Sequence, residues 1–258
     1  MRFSTIFRKV IVILFWIGLW GVAAYLIDKP LLLPTPAIVL LRIFELITTS
    51  DFWIITTLSL SRITLGIICA ITLGCIFALI TANNGILSDL LSPLQTITKV
   101  TPVASFILLV LIWINRNTVP AIISALMVLP VVWNNMSEGL RNIDKSLLEM
   151  AHVYKLSITT KFKRILLPSV LPYFLSAIRT SIGIGWKAGI AAEVLTVPSL
   201  SIGKMIAESK MYMETVDLFA WTIVVIIISL SIELLVVRLI KRYSKNYFNK
   251  VDGNDLIK

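Results

Sequence analysis

Unbroken apolar runs dominate the chain. They cover residues 10–27, 62–82, 102–114, 118–136, 173–197 and 218–237. Several reach the roughly 20 residues that a helix needs to cross a bilayer. The runs are continuous and do not alternate in polarity, which argues against a transmembrane barrel. The pattern predicts an all-α, polytopic membrane protein with six transmembrane helices in a single domain over 1–258. Arg2, Arg8 and Lys9 precede the first run with the polarity of a signal peptide. That run is long for a signal core, and Asp28-Lys29-Pro30 is a poor cleavage flank, so it reads as a retained span.

Between the runs the connections differ. Residues 31–52 carry Pro34, Pro36, Arg42, Glu45 and Asp51 and read as an external connection with a short amphipathic helix. In the second run Gly66, Ala70, Gly74, Ala78 and Ala82 recur every four residues. A ridge of small side chains lets another helix approach closely, so it reads as a packing face. Asn83-Asn84-Gly85 forms a turn, and 86–101 a partly polar connection ending near Lys99. Pro120 opens the fourth run and Pro130 predicts a kink in it. The fifth run contains Gly185 and Gly189 at GxxxG spacing.

One segment breaks the apolar pattern. Residues 149–172 form the longest polar, basic stretch, set between the fourth and fifth runs within a loop over 137–172. Read as a helix, Met150, Val153, Tyr154, Ile158, Phe162, Ile165 and Leu166 fall on one side at spacings of three and four. Lys155, Lys161, Lys163 and Arg164 project elsewhere. Such a segment suits a membrane surface, where it would meet anionic lipid. Ser157 is placed to cap a second short helix.

Composition and charge sharpen this picture. The chain has 258 residues, is 57% hydrophobic and has a mean hydropathy of +0.91. No ordinary soluble domain is so apolar. Its net charge of +10 raises nucleic acid as a partner, but the distribution favours a membrane reading. With both termini inside, sixteen of the 24 Lys and Arg fall in interior segments and six in exterior ones, with Arg179 and Lys187 inside the fifth run. The basic tail (Arg238, Lys241, Arg242, Lys245, Lys250, Lys258) and the central loop carry most of the excess, which predicts a cytoplasmic loop.

Catalytic chemistry is poorly represented. His152 is the sole histidine, so no His-rich metal set exists. Neither a Gly-x-Ser-x-Gly elbow nor a phosphate-binding loop occurs. Cys69 and Cys75 are six residues apart, about 600° around a helix, and imply neither a disulfide framework nor a metal site. The fifth run is more informative. Arg179, Trp186 and Glu193 recur every seven residues on one face, flanked by Gly183 and Ile190, and Lys187 sits near mid-depth. Charges at that depth usually face a bundle interior or an aqueous path, so these four residues are the candidate translocation path. The simpler alternative has Arg179 snorkelling to one surface and Glu193 at the other edge. Most tryptophans read as interface anchors, and Trp186 is the exception.

The wording of the polar stretch adds a resemblance. Glu149-x-Ala151, a basic and aromatic patch, then Leu167-Pro168-x-x-Leu171-Pro172 resembles the cytoplasmic loop of ABC-importer permeases. Leu33-Pro34-Thr35-Pro36, Ser59-Leu60-Ser61-Arg62 with Gly66, and Ala192-Glu193-Val194-Leu195 make the chain most similar to the nitrate/sulfonate/taurine branch of the type I, binding-protein-dependent permeases. Two positions depart: Met150 stands where the family usually has Ala, and Lys155 where it has Gly, whose positive φ allows a turn. The resemblance implies a permease subunit of a bacterial plasma membrane, with both termini in the cytoplasm. Glu149, Ala151, Tyr154, Lys155, Leu156, Ser157 and Ile158 would couple it to ABC ATPase subunits. ATP would be bound by those subunits and no cofactor by this chain. An extracellular or periplasmic solute-binding protein would deliver nitrate, sulfonates, taurine or a vitamin precursor, and a second copy would complete a homodimer. Without the resemblance, a non-transporting scaffold or receptor with a basic loop on lipid fits the same residues.

Overall fold

The computed structural model describes residues 2–82 and 84–254. Asn83 of the expected turn and Lys258 of the basic tail lie outside the described residues. The described residues form eleven α-helices and one π-helical turn, with no strand. The helices are α1 Arg2–Ile27, α2 Pro36–Ile47, α3 Ser50–Ala82, α4 Gly85–Val100, α5 Val103–Trp113 and α6 Val119–Arg141. After these come α7 Lys145–Val153, α8 Ile158–Lys161, the π turn Phe162–Leu166, α9 Leu167–Thr196, α10 Ile202–Met211 and α11 Thr215–Asn254.

Five segments are long and apolar enough to cross a membrane: Val10–Ile27, Ser50–Ala82, Val119–Arg141, Ile158–Thr196 and Thr215–Ile240. A sixth candidate is a bent pair of helices. α4 and α5 meet the same test together but bend by 111° between them. α5 alone has 11 residues, about 16 Å at 1.5 Å per residue and roughly half a hydrocarbon core. So the run expected as the third span, 102–114, passes that test only together with the segment expected to be a connection. Ile86, Leu90, Leu94 and Ile97 already stand at helical spacing there, and Asn84 caps the helix by accepting from Leu87 N–H at 3.2 Å. The break falls where Pro102 forces Thr101 out of helical geometry, to φ −78° and ψ 129°.

The chain divides into two compact units, Met1–Ser59 with Glu193–Ile228, and Leu60–Ala192 with Ser229–Lys258. In the first, aromatic pairs tie the elements. Trp20 stacks on Phe219 at 5.7 Å, and Phe52 on Trp221 at 5.4 Å. Arg42 of α2 grips Asp217 of α11 through two parallel hydrogen bonds, of 2.6 and 2.9 Å. Those bonds, reinforced by Glu45, hold its guanidinium more firmly protonated than usual.

Close backbone approach organises the second unit. A Cβ on Gly66 would lie 2.0 Å from the Ala121 carbonyl oxygen, so α3 and α6 touch backbone to backbone there. A Cβ on Gly74 would lie 2.8 Å from the Val132 side chain. On α9, Gly185 fits against Ile67 and Val128, and Gly189 against Ile63 and Ser124. Ser124 Oγ donates to the Gly185 carbonyl at 3.0 Å, a hydrogen bond strengthened by the dry surroundings. The small-residue ridge of the second run thus packs on α6, and the GxxxG of the fifth packs on both α3 and α6.

Candidate functional site

The loop that joins α6 to α9 is built on a small apolar base. Ile143, Ala151, Ile165 and Val170 are buried together, with Met136, Leu140, Leu148, Leu156 and Leu166 packed around them. Asp144 caps α7, accepting from Ser146 N–H at 2.8 Å and Ser146 Oγ at 2.7 Å. Those bonds hold the Asp144 carboxyl below the usual carboxylate range.

α7 ends at a left-handed residue. Lys155 has φ 47°. Its N–H donates to His152 O at 3.1 Å, and Leu156 N–H donates to Ala151 O at 3.0 Å. This pair of bonds is the Schellman closure, with its usual apolar contact supplied by Leu156 against the buried base. Lysine therefore keeps the turn that glycine would make more cheaply, and the two short helices stay distinct. Ser157 then caps α8, its Oγ accepting from Thr160 N–H at 3.3 Å. Beyond it the π turn carries the chain into Leu167-Pro168 and α9.

This arrangement divides the expected coupling residues. Ala151 and Leu156 face inward as part of the base. Glu149, Lys155 and Ser157 lie at the surface. Tyr154 is 74% exposed and Ile158 88%, and Val153 and Phe162 are exposed beside them. The result is an apolar knuckle on a rigid support, rather than one amphipathic helix.

The four fifth-run residues are also divided. Arg179 and Lys187 are exposed on a face of α9 that includes Ser176, Thr180 and Ala191. Trp186 is buried in the second unit with its indole N–H unpartnered among the described residues. Glu193 belongs to the first unit and is fully buried. Its Oε2 accepts from Ser59 Oγ at 2.9 Å and from Gly203 N–H at 3.1 Å. Ser59 Oγ in turn accepts from Ile202 N–H at 2.9 Å, and Ser201 Oγ from Lys204 N–H at 3.1 Å. Glu193 and Ser59 thus cap α10, with the carboxylate at the positive end of its dipole. A Cβ on Gly203 would fall 2.2 Å from Glu193 Cβ, so only glycine lets the helices meet. Val197, which closes α9 by donating its N–H to Glu193 O at 2.9 Å, and Leu200 both hold positive φ beside this cap. Sequence reasoning missed the Ser59 role. Its signal was only the short Ser59-Leu60-Ser61-Arg62 motif.

Residues 64–245 match the family described as binding-protein-dependent transport system inner membrane component. The chain belongs to that family, the permeases of ABC importers. It is similar to a putative aliphatic sulfonates transport permease protein of Bacillus subtilis, 26% identical over 239 residues, which is 92% of this chain and 86% of that protein. A bicarbonate transport system permease protein of Synechocystis is 31% identical over 128 residues, 48% of this chain and 45% of that protein. A nitrate import permease protein of Leptolyngbya laminosa is 34% identical over 84 residues, 31% of this chain and 30% of that one.

Proposed function

We propose that this chain is the membrane half of an ATP-driven importer for a small solute of the nitrate, sulfonate or vitamin-precursor kind, and that loop 142–166 is where a separate ATPase subunit docks. The observation that carries this reading is the exposed apolar knuckle of Val153, Tyr154, Ile158 and Phe162 on its buried base. Lys155 and Lys161 flank it and suit acidic residues around an apolar groove. The knuckle is continuous with α9 through Ile158–Thr196. Movement of the ATPase would therefore tilt a span directly, the two-state rocking that moves solute. ATP binds on that partner, and the loop faces the cytoplasm with both termini.

The exposed face of α9 supports a second element of the reading. Arg179 and Lys187, with Ser176, Thr180 and Ala191, make a largely polar stripe on a spanning helix, interrupted by Ile184. Lipid is a poor neighbour for that stripe. A second copy of the chain would cover it and enclose a path between the two stripes, with Trp186 backing it. The two cations favour an anionic solute, delivered from outside by a binding protein.

Tyr154→Asp with Ile158→Asp tests the docking role in membranes that hold the cognate ATPase. We expect both variants to insert normally and to lose ATPase co-purification at least tenfold. Unchanged co-purification and uptake would reject the docking role.

A further inference from the structure

α4 leaves much of its apolar surface uncovered. Ile86, Leu90, Leu94, Ile97 and Val100 form one apolar stripe, and all five are exposed. None of its residues is buried. Of its polar positions, Ser88, Ser92 and Gln95 line a cavity shared with α6, while Asp89, Thr96 and Lys99 are exposed. Outward apolar groups suit lipid. Inward hydroxyls and amides are tolerated at membrane depth only where they meet water or a polar occupant. The helix is not distorted by accident. Pro93 cannot bond the Asp89 carbonyl, and Ser92 Oγ donates to that carbonyl at 3.0 Å in its place.

Between these faces lies a cavity of about 420 Å³, within the roughly 300–1,000 Å³ range of small-molecule sites. Its floor is firm: Trp133 is buried, and its indole N–H donates to Thr81 Oγ1 at 3.0 Å. The walls offer Ser88 and Gln95 from α4, and Asn134 and Ser137 from α6. Ser137 Oγ is buried with no partner among the described residues, a cost that a bound polar molecule would relieve. At the rim stand Glu138 and Arg141. They are neighbours at i and i+3 on α6, yet no ion pair joins them among the described residues.

We propose that this cavity binds a small zwitterion. Arg141 takes the anionic end, Glu138 the cationic end, and Ser137, Asn134 and Gln95 accept from or donate to the body of the molecule. Unlike charges side by side select for a ligand that carries both. A simple anion meets Glu138 as a repulsive neighbour, and a simple cation meets Arg141. The site lies wholly within one chain and needs neither an ATPase nor a second copy, so it stands or falls separately from the docking reading.

The test uses the full chain in lipid nanodiscs and isothermal titration. The probes are β-alanine and taurine, which carry both charges, propionate, which carries only the negative one, and propylamine, which carries only the positive one. We expect one saturable site per chain for at least one zwitterion, with binding at least tenfold weaker for propionate and propylamine. Arg141→Ala and Glu138→Gln should each weaken zwitterion binding at least tenfold with the melting temperature unchanged. Ser137→Ala, a smaller change in the wall, should weaken it severalfold. Absence of saturable zwitterion binding to folded wild-type protein overturns the proposal. Equal affinity for all four probes, or binding indifferent to both rim substitutions, also overturns it.

Discussion

Lys155 adopts φ 47° at a position where the backbone geometry favours glycine. Left-handed conformation costs an L side chain about 1–2 kcal/mol, and glycine avoids most of that. Lys155→Gly should therefore stabilise the loop by about 1 kcal/mol and raise the thermal midpoint by about 2–4 °C, read by thermal unfolding in detergent. A fall in the midpoint would mean that the turn is not left-handed. Ser157 was readable from the sequence because capping is local: the hydroxyl bonds a backbone three residues on. Glu193 was not, because its partner Ser59 is 134 residues away and its other partner is a backbone N–H. Periodicity alone put Glu193 on one face with Arg179 and Trp186. Burial then separates them, because a helical face changes neighbours along its length.

At the scale of elements, glycines on spanning helices fall into two kinds. Gly66 has backbone 2.0 Å from a would-be Cβ, whereas Gly18 of α1 has nothing within 4 Å. Gly66→Ala should push α3 from α6 and destabilise by about 1–3 kcal/mol or more, as overpacking does. Gly18→Ala should instead gain about 0.5–1 kcal/mol from helix propensity. Thermal midpoints of the pair check this, and shifts in the same direction would contradict the packing. Both ridges were visible as small residues at four-residue spacing, since that pattern has few other uses in a membrane helix. α4 was harder to see as part of a span. Ile86, Leu90, Leu94 and Ile97 are exposed while Ser88 and Gln95 line a cavity, and Pro93 and the Thr101–Pro102 break interrupt the helix. Composition alone therefore resembles a connection.

At the scale of the whole molecule, the all-α fold, its long apolar helices and the family were readable, because a bilayer imposes length and polarity on every crossing. The knuckle's division into buried and exposed residues was not. A single amphipathic helix and a broken pair separated by a left-handed lysine share nearly the same spacing of apolar residues. Only the Schellman bonds at Lys155 and Leu156 distinguish them. That division changes how the loop should be probed, since Ala151 supports the fold and Ile158 is free to meet a partner.

The most direct measurement places one cysteine at that exposed position, Ile158→Cys, in a Cys69→Ser, Cys75→Ser background, and applies a membrane-impermeant maleimide. Labelling is expected in inside-out vesicles stripped of the ATPase, with protection when the ATPase is bound, and none in intact spheroplasts. Labelling of intact spheroplasts, or labelling in vesicles that the bound ATPase leaves undiminished, would contradict it.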